Sequence, residues 1–315
     1  MSCEQFWCIY FFFYLPSASK IIHNLNRIGI LLKIQIYTKM SKVEINLPYF
    51  DKILANLENE ATKAIFGNHV HWGYWENPNL AQNTPQDFAI ATEKLAQKVY
   101  QTANLKDGIS ILDVGCGFGG TTASINNYYS GVKITGLNID ERQLNIARKQ
   151  IQPRGNNSIE FVLGDATQIP FPDNSFDVVL AVECIFHFPS RAAFFQEAKR
   201  VLKPGGKIAF SDFVPTAIIN FFEPLVRLFL QDLGAKTYGN VNFFTLTSYQ
   251  NLAQQIGFNN FQIEDITFNT LPTYTILKKF PILSNSAADR KTNNILEWVT
   301  RLGLLRYLIL SVKVE

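Results

Sequence analysis

The sequence predicts an α/β fold, in which a doubly wound, mostly parallel sheet of seven strands carries helices on both faces. The principal observation is that strand-like apolar runs alternate with helix-like runs, a pattern that produces parallel sheets. The chain is also 47% apolar and only 17% charged, which is enough apolar material for a large core. The predicted strands are residues 109–114, 132–138, 159–163, 176–182, 206–213, 261–268 and 306–313. The helices predicted between them are residues 119–128, 140–151, 190–202 and 246–256.

Helical segments outside this alternation predict a cover over the sheet. Residues 48–66 repeat apolar side chains at helical spacing, and a further helix begins at Thr84 and Pro85, where Thr can cap and Pro suits the first turn. Residues 215–245 form an apolar insertion, and residues 271–304 form another before the last strand. The apolar pattern of residues 215–245 fits either a helix packed on the sheet or a lid over a substrate pocket.

The first 39 residues differ from the rest of the chain. Residues 6–15 are apolar but too few to span a bilayer, which takes about 20 residues. A globular-looking sequence begins directly after Met40, so we expect residues 1–39 to be an extension from a mis-assigned start and residues 40–315 to be the functional domain. The alternative is a membrane-associating leader.

Charge and cysteine content narrow the class of protein. The chain has a net charge of +3, and all of it comes from residues 1–39. Residues 40–315 have 25 basic and 25 acidic side chains and are neutral overall. A neutral domain gives no general attraction to nucleic acid, so we expect no nucleic-acid partner. The four cysteines form no CxxC pair or disulfide framework, which favours the reducing cytoplasm. The four histidines do not fall at metal-ligand spacing with cysteines or acids, so no metal is expected. The oligomeric state is not predicted.

A glycine-rich turn at residues 111–120 is the central motif. The predicted strand enters a turn containing Gly115, Cys116, Gly117 and Gly120, and such glycines let the backbone approach a ligand closely. This spacing also fits dinucleotide-binding proteins, so the motif alone is ambiguous.

Three neighbouring features argue against a dinucleotide, and the first of them favours a ligand that carries positive charge. Asp113 lies two residues before the first glycine, where a carboxylate would repel a pyrophosphate but suit a sulfonium and an amino group. Asp165 follows the third strand, where it could accept a hydrogen bond from an adenine amine. The run Val201-Leu202-Lys203-Pro204-Gly205-Gly206 ends a helix and leads into the next strand. Asp113 as a turn residue, Asp165 as a helix cap and a plain Pro-Gly-Gly turn are the simpler alternatives.

Together these motifs resemble the core of class I, Rossmann-like S-adenosylmethionine-dependent methyltransferases over residues 109–213. Three flanking runs are similar to motifs of rebeccamycin-type sugar O-methyltransferases and, more loosely, of tocopherol and sarcosine/dimethylglycine methyltransferases. These runs are His71-Trp72-Gly73-Tyr74-Trp75-Glu76, Ala181-Val182-Glu183-Cys184-Ile185-Phe186-His187-Phe188-Pro189 and Ser211-Asp212-Phe213-Val214. The resemblance implies the cofactor S-adenosyl-L-methionine and a small-molecule substrate.

The resemblance also implies the residues that bind the cofactor. The turn residues would line its methionine part, Asn138 would lie at the ribose, and Asp165 and Ala166 would hold the adenine. Gln143 lies where the related cyclopropane synthases place a glutamine that contacts the cofactor. Asn138 departs from the acidic residue that many family members place there, so its ribose contact would lack charge. The full expected set is Tyr74, Asp113, Gly115, Cys116, Gly117, Asn138, Gln143, Asp165 and Ala166.

His187 is the expected base for an oxygen acceptor, because it follows the fourth strand and histidine titrates near neutral pH. The rebeccamycin-type enzymes have two adjacent histidines here, and this chain has Phe186 in place of the first. Asp212 could orient His187 or the substrate, or could cap the next segment. Glu183 could face the substrate or the cofactor.

The aromatic run contributes one expected site residue. Tyr74 could lie beside the sulfonium through cation–π attraction, whereas Trp72 and Trp75 are expected to pack in the cover.

We expect methyl transfer to a small molecule through an oxygen nucleophile. The alternatives are a C- or N-methyltransferase acting on an isoprenoid phenol or amine, and a catalytically silent binding module of the same fold.

Overall fold

The computed structural model describes residues 47–216, 238–239, 241–280 and 286–315. Residues 45–315 form one compact unit. The N-terminal extension and most of the apolar insertion at 215–245 lie outside the described residues. Within the described parts, no helix is both long and apolar enough to cross a membrane.

Two short helices begin the described chain. These are α1 (Pro48–Ala55) and α2 (Glu60–Phe66), where the sequence predicts one continuous helix. Asn59 explains the interruption, because its side-chain oxygen accepts the backbone N–H of Thr62 and so caps a new helix. A 3₁₀ turn (Pro78–Leu80) and helix α3 (Pro85–Thr102) follow, and Thr84 caps α3 through the N–H of Asp87, as predicted.

The sheet begins after α3, with strands separated by helices. The order along the chain is β1 (Ser110–Val114), α4 (Gly120–Tyr128), β2 (Lys133–Asn138), α5 (Glu141–Gln150), β3 (Ser158–Leu163), β4 (Phe176–Ala181), a 3₁₀ turn (Ile185–His187), α6 (Arg191–Val201), β5 (Leu202–Pro215), α7 (Leu246–Ile256) and β6 (Phe258–Asp265). Three helices, α8 (Thr267–Thr270), α9 (Pro272–Lys279) and α10 (Ala287–Arg301), precede β7 (Leu305–Val314).

The seven strands form one sheet in the order β3-β2-β1-β4-β5-β7-β6. Neighbours from β3 to β5 run parallel, whereas β7 is antiparallel to both β5 and β6. The prediction of a mostly parallel, seven-stranded, doubly wound sheet is therefore confirmed. Because the strand order reverses between β1 and β4, their carboxyl ends flank the crevice where such sheets bind ligands.

Apolar side chains bury both faces of the sheet. One core packs α6 and α7 on one face, and a second packs α3 and Tyr274 of α9 on the other. A third cluster joins Tyr49 and Phe50 of α1 to Phe118 of the glycine-rich turn. The helical cover therefore rests on the carboxyl edge of the sheet, where the motif residues lie.

Candidate active site

The glycine-rich turn adopts a backbone that suits glycine. Gly115 and Gly117 have φ values of +67° and +56°, in the left-handed region that side chains disfavour. A Cβ on Gly115 would lie 2.7 Å from the Cβ and Sγ of Cys184, so close packing also requires glycine there. A Cβ on Gly117 would meet only the Gln143 Oε1 atom, at 3.8 Å. The turn is therefore tightly packed at its start and open at Gly117, where a ligand can approach the backbone.

Asp113 is a buried carboxylate behind this turn. It is 1% exposed at the carboxyl half of β1, and its Oδ2 accepts a hydrogen bond of 2.8 Å from the Thr122 hydroxyl. Burial raises the pKa of Asp113 to about 7, while the bond from Thr122 opposes that rise. A positive charge placed beside Asp113 would favour its ionised form.

Two amide side chains meet on the other side of the turn. The Asn138 Nδ2 atom donates to Gln143 Oε1 at 2.8 Å, and Asn138 Oδ1 accepts the N–H of Ile139. Both residues are buried at the carboxyl end of β2 and the start of α5. The structure thus brings together two residues that were expected separately at the cofactor, and it places Gln143 opposite Gly117.

Asp165 follows β3 and shapes its own turn. Its Oδ1 accepts both the N–H and the hydroxyl of Thr167, at 2.7 and 2.8 Å. Ala166 is buried beside it and packs in the core with Leu137 and Ile169. The next element after Asp165 is β4, so Oδ1 closes a turn and does not cap a helix, and a ligand contact at Oδ2 is not excluded.

The aromatic run divides as expected for its tryptophans. Trp72 and Trp75 are buried and pack against other rings, Trp72 against Tyr274 at 4.5 Å and Trp75 against Phe88 at 6.1 Å. Tyr74 is half-buried in the loop before α3, with the ammonium of Lys98 on α3 5.3 Å from its ring centroid. Tyr74 therefore makes a cation–π contact with a lysine of the protein.

Glu183 is held at the carboxyl end of β4 in a strained backbone conformation. Its φ is +49°, which is uncommon for a residue other than glycine and occurs at functional sites. The Oε2 atom accepts the Trp72 N–H at 2.9 Å and the Tyr307 hydroxyl at 2.5 Å. Burial raises the pKa of Glu183 to about 8. Within the described chain, no hydrogen-bond partner is found for Oε1, which leaves this oxygen available to a ligand.

His187 lies in the 3₁₀ turn after β4 and contacts α1. Its Nε2 atom is 3.1 Å from the Tyr49 hydroxyl, and the two rings stack with centroids 5.6 Å apart. Burial raises the pKa of Tyr49, so the phenol stays protonated and can donate to the imidazole. Phe186, which replaces the first histidine of the related motif, packs on the His187 ring at 4.3 Å.

Asp212 has different partners from those expected. It is fully buried near the end of β5, and its Oδ2 accepts from Arg191 at 3.0 Å and from the Tyr249 hydroxyl at 2.5 Å. Its Oδ1 accepts the N–H of Phe213. The expectation that Asp212 orients His187 is therefore wrong, because both of its oxygens are bound by groups from α6, α7 and its own strand.

Sequence reasoning missed Tyr49, Tyr307 and Arg191. Tyr49 lies at the start of the apolar pattern of residues 48–66, which predicts a covering helix, and Tyr307 lies in a run that predicts an ordinary last strand. Of these three residues, only Arg191 has a local sequence feature that could have drawn attention to it. It is a basic residue at the start of a predicted helix, four positions after His187.

The geometry agrees with comparisons to known proteins. A family model described as "Methyltransferase domain" matches residues 112–210. Methyltransferase GfsG of Streptomyces halstedii is 30% identical over 228 residues, which cover 71% of this chain and 78% of that protein. This chain belongs to the methyltransferase family.

Other relatives of the methyltransferase act on small molecules. The 27-O-demethylrifamycin SV methyltransferase of Amycolatopsis mediterranei is 29% identical, over 67% of this chain and 74% of that protein. Among solved structures, geranyl diphosphate C-methyltransferase from Streptomyces coelicolor, bound to S-adenosyl-L-homocysteine, has a TM-score of 0.63 at 15% identity. That similarity covers 84% of this chain and 98% of the other, and at this identity it shows the shared fold. The methyltransferase is an S-adenosylmethionine-dependent enzyme with a small-molecule acceptor.

The residues of the turn fit this cofactor. The cofactor carries a sulfonium and an amino group, and Asp113 is a buried carboxylate whose charge such a cation would stabilise. Among the described residues, a Cβ on Gly117 would meet only Gln143 within 4 Å, and Asn138 presents an uncharged amide beside Gln143.

Proposed function

We propose that this methyltransferase transfers the methyl group to a hydroxyl oxygen of its acceptor, with His187 as the base. The observation that carries the proposal is the contact between the Tyr49 hydroxyl and His187 Nε2. With Tyr49 donating, the Nε2 lone pair already accepts the phenol hydrogen, because a neutral imidazole has one donor and one acceptor nitrogen. The acceptor proton would therefore reach Nε2 through Tyr49, whose oxygen takes that proton as its own hydrogen passes to the imidazole. The relatives named as O-methyltransferases support an oxygen acceptor.

The protein's own residues would then divide the work. S-Adenosylmethionine supplies an electrophilic methyl group and a neutral leaving group. Asp113, the glycines of the turn, Asn138 and Gln143 would bind it, together with Asp165 and Ala166 at its adenine. His187 would take the proton from the acceptor hydroxyl through Tyr49, which would also hold the imidazole in place.

Glu183 would orient the acceptor. One of its oxygens is fixed by Trp72 and Tyr307, so the other has a defined position from which to bind a polar group of the acceptor. The surrounding rings of Trp72, Tyr307 and Phe213 provide an apolar wall, which suits an acceptor with an apolar body.

Glu183 also favours a second candidate, which is methylation at carbon. Burial raises the pKa of Glu183, so its ionised form is a stronger base than an exposed carboxylate. That carboxylate could take a proton from carbon after methyl transfer to an electron-rich ring or alkene. The shared fold of a C-methyltransferase is compatible with this candidate.

We also propose a cytoplasmic location. The support is that Cys116 and Cys184 are free thiols, as is usual in a reducing compartment.

Turnover of labelled S-adenosylmethionine with a panel of phenols, sugars, amines and prenylated quinols tests the two chemistries. We expect label in an oxygen acceptor, and a loss of about 10²–10⁴-fold in kcat for His187→Ala with unchanged cofactor affinity. The matched variants Tyr49→Phe and Glu183→Gln separate the roles. Tyr49→Phe should lower kcat less than His187→Ala, and Glu183→Gln should mainly raise KM for the acceptor.

Two results would contradict O-methylation. Label on carbon, with Glu183→Gln more damaging than His187→Ala, would establish the second candidate. Label on nitrogen, with His187→Ala fully active, would make His187 a packing residue.

A further inference from the structure

Arg191 and Asp212 form a buried ion pair at the edge of the sheet that carries the candidate active site. Their side chains are 3% and 0% exposed, and the Arg191 Nη2 atom lies 3.0 Å from Asp212 Oδ2. Arg191 Nε also donates to the Tyr249 hydroxyl at 2.7 Å, and its guanidinium lies 5.2 Å from the Phe244 ring centroid. The pair therefore joins the start of α6, the end of β5 and the segment that leads into α7.

The Arg191 guanidinium is linked by hydrogen bonds through Asn242 to the turn that holds His187. Arg191 Nη2 donates to the carbonyl of Asn242 at 2.5 Å, and the Asn242 N–H donates to the carbonyl of Phe186 at 2.9 Å. The Asn242 side chain makes a longer contact of 3.4 Å with the Phe188 carbonyl. The residues on both sides of His187 are thus tied to Asn242, which is tied to Arg191.

A buried ion pair is a poor device for stability alone, because removing two charges from water offsets most of their attraction. Its value lies in fixed geometry, and this pair holds a chain of hydrogen bonds that ends beside His187. We infer that Arg191 and Asp212 are positioning residues, which hold the turn at residues 185–188 so that His187 stays against Tyr49. This inference rests on the proposed role of His187 and replaces the expected catalytic role of Asp212.

Asp212→Asn tests the inference in the full-length protein. Without its partner charge, Arg191 should shift from Asn242, and kcat should fall about 10- to 100-fold because a displacement near 1 Å has effects of this size. The cofactor dissociation constant should stay within twofold, and the pH dependence of kcat should keep its acidic limb, since His187 remains. The control is Asp177→Asn, which removes the Lys203 partner at the opposite end of β4 and should leave kcat unchanged.

The double variant Arg191→Met/Asp212→Asn separates positioning from stability. With both charges gone, thermal stability should recover toward that of the wild type, yet kcat should stay low because no group binds the Asn242 carbonyl. Recovery of kcat together with stability would overturn the inference, as would an unchanged kcat in Asp212→Asn. Loss of the acidic limb in Asp212→Asn would also overturn it, since Asp212 would then act in the chemistry itself.

Hydrogen exchange of the Asn242 amide makes the result independent of the acceptor chemistry. We expect faster exchange in Asp212→Asn and in the double variant, whether methylation occurs at oxygen or at carbon. Unchanged exchange would overturn the positioning role, whereas faster exchange with an active His187→Ala enzyme would leave it standing and refute only His187 as the base.

Discussion

At the scale of single residues, the unusual property of Asp113 is that its carboxyl group is fully buried with one side-chain donor, the Thr122 hydroxyl. Burial raises the pKa of Asp113 to about 7, so the free protein holds a proton there below neutral pH. A cationic ligand favours the ionised form, and binding should therefore release this proton.

Cofactor affinity should consequently depend on pH. We expect the dissociation constant of S-adenosylmethionine to fall as pH rises toward about 7, by at most tenfold per pH unit, and then to level off. Titration calorimetry in buffers of different ionisation enthalpy would detect the released proton. Asp113→Asn should bind S-adenosylmethionine weakly at every pH. Thr122→Val removes a hydrogen bond to the carboxylate, so the pH at which the dissociation constant stops falling should be higher. A dissociation constant independent of pH would place the cofactor's charge away from Asp113.

The glycines of the turn offer a matched pair of substitutions. Gly115→Ala meets both a left-handed backbone and a contact of 2.7 Å with Cys184, so it should destabilise the fold. Gly117→Ala has the same backbone problem, which costs about 1–2 kcal/mol, but it has space for the methyl group. We expect Gly117→Ala to remain folded and to lose cofactor affinity. Thermal melts with and without S-adenosylmethionine would separate the two effects, and equal ligand stabilisation of Gly117→Ala and wild type would show that the cofactor lies elsewhere.

At the scale of elements, a chain of hydrogen bonds ties the segment before Trp72 to α3 and α4. His71 Nδ1 must donate to the Trp72 carbonyl, so Nε2 of this neutral ring accepts from His69 Nδ1 at 3.0 Å. The His69 Nε2 atom then meets Glu93 Oε2 at 3.0 Å, and Glu93 Oε1 accepts from Ser124 of α4. Burial alone would raise the pKa of Glu93, but the bonds from His69 and Ser124 lower it. Glu93 is therefore ionised.

Loss of the Glu93 charge should loosen these elements. We expect Glu93→Gln to reduce the free energy of unfolding by about 1–3 kcal/mol at pH 7, because a half-buried charge with several hydrogen bonds is lost. Because the pKa of Glu93 is lower in the folded than in the unfolded chain, its charge stabilises the fold at pH values above the unfolded pKa. This contribution is lost as pH falls, so the difference in unfolding free energy between Glu93→Gln and the wild type should shrink below about pH 4. Denaturant titrations would measure it. Glu76→Gln, which removes the exposed partner of the neighbouring residue Lys94, should change the free energy of unfolding little. Equal effects of both variants would refute the network.

At the scale of the whole molecule, three buried groups set the pH dependence of stability near neutrality. Burial raises the pKa of Asp113 to about 7 and that of Glu183 to about 8, and it lowers the pKa of His71 to about 3. The two carboxyl groups keep protons that the unfolded chain releases, so they destabilise the fold as pH rises. His71 acts in the opposite direction only up to its unfolded pKa of about 6.5.

The ligand-free protein should therefore lose stability between about pH 6.5 and 8, by at most about 1.4 kcal/mol per pH unit for each carboxyl group. Thermal melts across this range should show a Tm that falls as pH rises. In the double variant Asp113→Asn/Glu183→Gln, Tm should change less with pH. S-Adenosylmethionine should raise Tm more at pH 8 than at pH 6, because it favours ionised Asp113. A Tm that rises through this range would mean that these carboxyl groups are not held neutral in the fold.

The sequence by itself determined the sheet, the glycine-rich turn and the cofactor. Each of these depends on local features: alternation of apolar runs, caps such as Thr84, and glycines at positions where only a left-handed backbone makes the turn. The same locality explains an error, because the single helix predicted over residues 48–66 is divided by the competing cap at Asn59.

Only the tertiary structure decided which residues meet across the site. Tyr49 and His187 are 138 positions apart, and Glu183 and Tyr307 are 124 positions apart. No local spacing in the sequence predicts either contact. Asp212 shows the same limit, since the motif placed it at the correct edge but its partners come from α6 and α7. Periodicity reports which face of an element is apolar, whereas a hydrogen bond depends on where two distant backbones bring their side chains. For that reason the sequence specified the cofactor, and the fold specified the partners of His187 and Asp212.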